Sequence, residues 1–173
     1  MGRLPVTMKF AEFFDAMANA DIDYVLVEGL AVSLHGIVRG TLDVDVALAM
    51  DDANMTRFID AARAMGLSPS LPVAIETLSN AAQIDFWFRE KNMLAFSLRE
   101  AAPAGLVVDV LVRPRVPYPA LRANAVKRFL GATAIPIASI DHLIELKSGT
   151  GRGIDAIDIQ NLVHLRDAPS PAP

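Results

Sequence analysis

The stretch that decides the fold is YVLVEGLAVSLHGIVRGTLDVDVAL, residues 24–48. Near its end, an apolar residue at every second position from 44 to 48 alternates with Asp43 and Asp45, which is the two-residue period of a β-strand. One face of that strand is apolar and the other carries two carboxylates. Aspartate is uncommon in strands and like charges on one face repel, so the pair indicates a function that needs both acids.

The first half of the stretch predicts a turn that can bind phosphate. DYVLVEG predicts a short buried strand that ends at Gly29, and LAVSLHG predicts a short helix that starts at Leu30 and ends at Gly36. Backbone N–H groups at the start of a helix bind phosphate, and a glycine lets the phosphate approach the backbone closely. Asp43 follows this glycine by fourteen positions.

A third aspartate, Asp109, interrupts the apolar run VVDVLV at residues 107–112. If its strand neighbours the strand of Asp43 and Asp45, the three carboxylates lie roughly 5–8 Å apart. Unpaired acids this close repel, and a divalent cation with oxygen ligands, most simply Mg²⁺, removes the repulsion while keeping positions open for phosphate. The alternative is that each aspartate caps a helix or forms a local salt bridge.

The rest of the pattern predicts a single α/β (α+β) domain with a mixed β-sheet flanked by helices, over residues 1–166. The predicted helices lie around residues 8–20, 30–36, 52–62, 79–90, 118–129, 140–148 and 154–166, and the predicted strands around 23–29, 43–49, 93–98, 105–112 and 132–138. Asp51 or Asp52, and Ser139, are expected to cap the helices that follow them. The final residues, DAPSPAP at 167–173, predict a disordered tail.

Composition narrows the classes of function. The chain has 173 residues, of which 53% are hydrophobic, so it can bury a sizeable core, yet no apolar run is long enough to cross a bilayer. It has no cysteine, and its first residues lack the apolar segment of a signal peptide, which together favour a cytoplasmic location. A net charge of −4 disfavours general nucleic-acid binding.

From about residue 8 to 165, the sequence resembles the nucleotidyltransferase superfamily, and most closely its small single-domain bacterial members, which include toxin–antitoxin and abortive-infection types. The superfamily pattern is a Gly-Gly or Gly-Ser turn, then Asp-x-Asp or Asp-x-Glu, and a third carboxylate on a later strand. The resemblance implies a nucleotidyltransferase-like mixed sheet. It also implies Mg²⁺-dependent transfer of a nucleoside monophosphate from a nucleoside triphosphate to an acceptor hydroxyl that the sequence does not identify.

The resemblance implies a role for each matched residue. Asp43 and Asp45 would hold Mg²⁺ on the triphosphate. Asp109 would share a second Mg²⁺ and help to deprotonate the acceptor hydroxyl. Gly29 would bind phosphate at the turn, together with Leu30, the first residue of the predicted helix.

Three cations are further candidates for contact with the nucleotide. Arg39, which precedes the acidic strand, would contact phosphate or neutralise the acids. Lys147 lies on the apolar face of its predicted helix, so its side chain either extends outward to solvent or reaches a charged site. Arg152 lies in the glycine-rich turn that follows. Asp155 and Asp158 are expected to cap the last helix or to pair with Lys147 and Arg152.

Glu28 departs from the superfamily pattern, because it stands where the first glycine of the turn is expected. A carboxylate beside a bound triphosphate repels it unless the side chain points away. A second hypothesis therefore stays open: a catalytically weak or inactive nucleotidyltransferase-fold protein that acts by binding another protein, for example in a toxin–antitoxin pair. The expected partners are a nucleoside triphosphate and, under this hypothesis, a protein; the oligomeric state is not predicted.

Overall fold

A computed structural model describes the backbone of residues 6–168 and the side chains from residue 9 onward. Within that range there are seven α-helices: α1 (Val6–Asn19), α2 (Glu28–Leu34), α3 (Asp52–Ala64), α4 (Ala81–Lys91), α5 (Tyr118–Ala123), α6 (Ile140–Lys147) and α7 (Gly153–Asp167). The strands in the same range are β1 (Tyr24–Val27), β2 (Asp43–Leu48), β3 (Leu67–Pro69), β4 (Ala95–Glu100), β5 (Val107–Leu111), β6 (Val126–Leu130) and β7 (Thr133–Ile137). A 3₁₀ helix, Ile75–Ser79, precedes α4. Most of the predicted tail, residues 169–173, lies outside the described residues.

The strands form one mixed sheet in the order β3-β4-β5-β2-β1-β7-β6. In its centre, β2 pairs in parallel with β5 and antiparallel with β1, and β1 pairs in parallel with β7. The two outer pairs, β3 with β4 and β6 with β7, are antiparallel, as is β4 with β5. The predicted fold class, a mixed sheet flanked by helices in a single domain, is therefore confirmed, and the strands of the three aspartates are neighbours.

The apolar stripes read from the sequence form the core. In α1, Phe13, Phe14 and Met17 are fully buried, and the Phe14 ring stacks on Tyr24 of β1 with centroids 6.1 Å apart. Each large apolar side chain buried in this way contributes about 1.5–3 kcal/mol. The predicted caps also form: Asp51 accepts a hydrogen bond from the Asn54 amide at the start of α3, and Ser139 does the same for His142 at the start of α6. No described helix is long and apolar enough to span a membrane.

Three elements differ from the sequence-based expectation. The helix predicted over 118–129 ends at Ala123, because residues 126–130 form an edge strand on β7. Leu67–Pro69 forms the opposite edge strand, where a proline removes no hydrogen bond that the sheet needs. The third difference is at β1, which ends at Val27, so α2 begins at Glu28 and not at Leu30.

Candidate functional site

Three carboxylates project from one face of the sheet where β2 meets β5. Asp45 and Asp109 are direct register partners on these parallel strands, so their side chains leave the sheet on the same side. Asp43 lies two residues earlier in β2, on the same face and at the exposed end of the strand. A shift of one residue in register would have turned Asp109 to the opposite face. The pairing of β2 with β5 therefore brings the three predicted acids to one place.

The acids perturb one another. Burial, and then the negative charges of Glu28, Asp109 and Asp43, together raise the pKa of Asp45 to about 7, while the positive charge of Lys147 opposes the shift. The pKa of Asp43 is also raised, first by desolvation and then by Asp109. Both shifts have the sign expected of a carboxylate cluster that lacks a counter-charge.

The donor chemistry of this cluster fits Mg²⁺, because its ligands would be carboxylate oxygens on an open face of the sheet. Among the described residues, no three acidic, histidine or cysteine side chains are close enough to hold a metal ion as they stand. Asp45 and Asp109 would supply the first two ligands, since they are paired across the two strands. Asp43, at the strand end, would complete it from the solvent side.

Ser97 is a site residue that the sequence analysis missed. It is the register partner of Asp109 on β4, and its hydroxyl donates a hydrogen bond to Oδ1 of Asp109. The only signal in the sequence was a polar residue between Phe96 and Leu98 in a predicted strand, which is common on a solvent face. Only the pairing of β4 with β5 shows that Ser97 orients Asp109.

A cavity of about 590 Å³ opens over Asp45 and Asp109. Its charged lining comprises three acids and three arginines, namely Glu28, Asp45, Asp109, Arg113, Arg115 and Arg152. Asp43 is not part of this lining. The predicted phosphate-binding residues Gly29 and Leu30 are absent from it as well, and Leu30 is buried in the core.

Arg115 is the second site residue that the sequence did not reveal. Within the described part of the chain, its guanidinium makes no ion pair or hydrogen bond, although it lines the acid-containing cavity. It lies against Gly149, where a β-carbon would stand 3.4 Å from Nη2 of the arginine. By contrast, Arg113 is already paired, since its Nε donates to Oδ1 of Asp85 at 2.6 Å. Arg115 is thus the cation that is free to meet an anionic ligand.

Lys147 is held in a buried ionic network beside the cavity. Its Nζ lies 2.8 Å from Asp155, 2.9 Å from Glu28 and 3.0 Å from Asp158, and its side chain is fully buried. Burial alone would lower the pKa of Lys147, but the three carboxylates raise it overall. The predicted pairing with Asp155 and Asp158 is present, and the lysine is not exposed to the cavity.

Arg39 and Arg152 belong to the same network. Arg39 Nε lies 3.0 Å from Oδ2 of Asp158. The two groups form an ion pair, but their geometry is not that of a hydrogen bond. The guanidinium of Arg39 covers Gly29, where a β-carbon would collide with Nη1 at 1.8 Å. Arg152 contacts Asp155 at 2.5 Å and Glu28 at 3.7 Å. Among the described residues, three cations therefore balance three carboxylates in this network, of which Arg152 and Glu28 also line the cavity.

No protein-family model matches the sequence, and no curated protein matches the chain. Solved structures do resemble it over nearly its whole length. The lincosamide antibiotic adenylyltransferase LnuA, solved with lincomycin bound, aligns with a TM-score of 0.59 and 15% identity over 91% of this chain and 96% of that one. An antigenic nucleotidyltransferase-like protein from Paracoccidioides brasiliensis aligns with a TM-score of 0.56 and 15% identity over 92% of this chain and 74% of that one. ANT(2")-Ia in complex with adenylyl-2"-tobramycin aligns with a TM-score of 0.55 and 10% identity over 92% of this chain and 88% of that one.

Proposed function

We propose that this chain, whose fold is that of the nucleotidyltransferases, transfers a nucleoside monophosphate from a nucleoside triphosphate to an acceptor hydroxyl with the help of Mg²⁺. The observation that carries the proposal is the register of β2 and β5, in which Asp45 and Asp109 are partners beneath a cavity edged by arginines. Two of the similar structures are named for adenylyl transfer or contain an adenylylated compound, so ATP is the first donor to test.

The three acids divide two tasks in the proposed reaction. Asp43 and Asp45 would hold Mg²⁺ on the triphosphate, and Asp109 would share a second ion. Bound Mg²⁺ supplies charge stabilisation for the displacement at phosphorus. Asp109 accepts the proton of the acceptor hydroxyl, and the acceptor oxygen forms a bond to the α-phosphorus. The bond from that phosphorus to the bridging oxygen breaks, and pyrophosphate leaves. Ser97 holds the Asp109 carboxylate in the orientation that this proton transfer needs.

Arg115 is the side chain that we assign to the triphosphate. Lys147, Arg39 and Arg152 are neutralised within the ionic network, whereas the guanidinium of Arg115 has no partner in the described chain and lines the cavity. A guanidinium can bind two phosphate oxygens at once, which orients the triphosphate as well as attracting it.

The test is thermal stability and pyrophosphate release. We expect the melting temperature of the wild type to rise with Mg²⁺ and ATP together, and the rise to disappear in Asp109→Asn. Asp60→Asn, an exposed aspartate of α3, is the matched control and keeps the response. A wild type that responds to no nucleoside triphosphate in the presence of Mg²⁺ would refute the proposal.

A second candidate function is favoured by Glu28. This residue lines the cavity and binds Lys147, so it adds negative charge where a triphosphate would sit. A catalytically weak protein that acts by binding a protein partner would tolerate that charge, and an unresponsive wild type would favour it. A toxin–antitoxin role and a cytoplasmic location stay predictions from the sequence.

A further inference from the structure

A second cavity, of about 370 Å³, adjoins the one over the acids. The two share the wall formed by residues 111–114, which follow β5. Apart from one ion pair and the tyrosine Tyr118, its lining is apolar and includes Leu48, Met50 and Ile84. A volume of this size suits a small organic ligand, since binding cavities usually measure about 300–1,000 Å³.

The second cavity begins one step along the same strands that carry the acids. Ala47 follows Asp45 by two residues in β2, and Leu111 follows Asp109 by two residues in β5, so both lie on the acidic face of the sheet. Two residues along a strand cover about 7 Å. A ligand seated against Ala47 and Leu111 therefore reaches the acids with a substituent only a few bonds long.

The charge of this cavity is balanced. Its lining contains one acid, Asp85, and one cation, Arg113, which are bonded to each other at 2.6 Å. Within this lining, no carboxylate is left to attract an amine and no cation is left to attract an acid. The lining therefore favours a neutral ligand over a charged one, because a charged ligand would lose hydration without gaining a partner.

We propose that this second cavity binds the acceptor of the transfer reaction, and that the acceptor is a neutral small molecule with an apolar body and a hydroxyl group. The identity of the ligand as acceptor rests on the proposed function, whereas the existence of the site does not. The acceptor oxygen forms the bond to the α-phosphorus, its proton passes to Asp109, and pyrophosphate leaves.

The first turn of α4 offers a matched pair of variants. Ala81 and Ala82 are both exposed, but only Ala81 lines the second cavity. Ala81→Trp should fill the cavity from its rim without disturbing the core, and Ala82→Trp adds the same side chain outside it. The probes are cinnamyl alcohol and its positively charged counterpart, cinnamylamine, both in millimolar Mg²⁺ so that the neighbouring acids do not attract the amine, and binding is measured by saturation-transfer NMR titration on the full chain.

We expect wild type and Ala82→Trp to bind the alcohol equally, Ala81→Trp to bind it at least tenfold more weakly, and the amine to bind the wild type more weakly than the alcohol. Ala81→Trp should keep the melting-temperature response to Mg²⁺ and ATP. Absence of alcohol binding, equal binding in the two tryptophan variants, or preference for the amine overturns the inference. Alcohol binding that Ala81→Trp removes, in a protein without any response to Mg²⁺ and ATP, instead refutes the proposed function and the acceptor role while leaving the binding site in place.

Discussion

Replacing Asp45 by asparagine should stabilise the protein when metal is absent. In the fold, the pKa of Asp45 is raised from 3.8 to about 7, chiefly by burial and then by Glu28 and Asp109. A raised pKa means that the folded chain binds the proton more tightly than the unfolded chain does. The contribution of this proton to the free energy of unfolding is therefore complete below about pH 4 and is lost as pH rises to about 7. Three pH units correspond to about 4 kcal/mol. Solvent in the cavity screens part of this energy, so we expect the free energy of unfolding of Asp45→Asn to exceed that of the wild type by about 1–3 kcal/mol at pH 8.

The assay is the melting temperature of wild type, Asp45→Asn and the exposed control Asp60→Asn between pH 5 and pH 8, with and without millimolar Mg²⁺. A gain of 1 kcal/mol corresponds to roughly 2–4 °C in a chain of this size. The advantage of Asp45→Asn should grow as pH rises, and only wild type and control should be stabilised by Mg²⁺. A variant that melts below wild type at every pH, with no Mg²⁺ response in wild type, would refute the reasoning, because it would mean that Asp45 is held by a cation.

Three further predictions concern the same cavity. Ser97→Ala removes the hydrogen bond to Asp109, so kcat should fall about tenfold and its pH profile should shift while KM for ATP is unchanged; an unchanged profile would exclude a positioning role. Arg115→Ala should raise KM for ATP about tenfold, whereas Arg89→Ala on the exposed face of α4 should not, as initial rates would show. Glu28→Gly removes a carboxylate from the cavity lining and should tighten ATP binding by about 1 kcal/mol in a calorimetric titration. Weaker binding would mean that Glu28 takes part in binding the nucleotide.

The acidic site could be predicted because its information is local. Alternation fixes which face of a strand each side chain occupies, so Asp43 and Asp45 must share a face, and the apolar run around Asp109 limits that residue to one of two faces. The choice between the two faces depends on the register in which β5 pairs with β2, which the structure supplies. Ser97 and Arg115 carry no such local signal, because their positions depend on the pairing of β4 with β5 and on the approach of Arg115 to Gly149.

The misassigned helix shows the limit of periodicity. Residues 118–129 contain apolar positions at helical spacing, and the first six residues, Tyr118–Ala123, do form a helix. Beyond Ala123, the β-prone Val126 and Phe129 pair with β7. The stabilisation from this pairing depends on residues 133–137, so the periodicity of residues 118–129 alone does not reveal it. Lys147 shows a limit of another kind: its place on an apolar helix face left open whether its side chain reaches solvent or a charged site, and the structure buries it among carboxylates.

Glu28 connects the departure from the superfamily pattern with the chemistry of the site. Its φ of 55° lies in the left-handed region, which a glycine adopts without strain and which costs another residue about 1–2 kcal/mol. The chain keeps a glutamate there, and that side chain bonds to the fully buried Lys147 at 2.9 Å. The lysine and the helices α6 and α7 are thereby tied to the start of α2, which stabilises the wall of the cavity but leaves Lys147 unable to meet a nucleotide. Attraction for a triphosphate must then come from Arg115 and from metal held by the aspartates, so binding of nucleotide without Mg²⁺ should be weak in this protein.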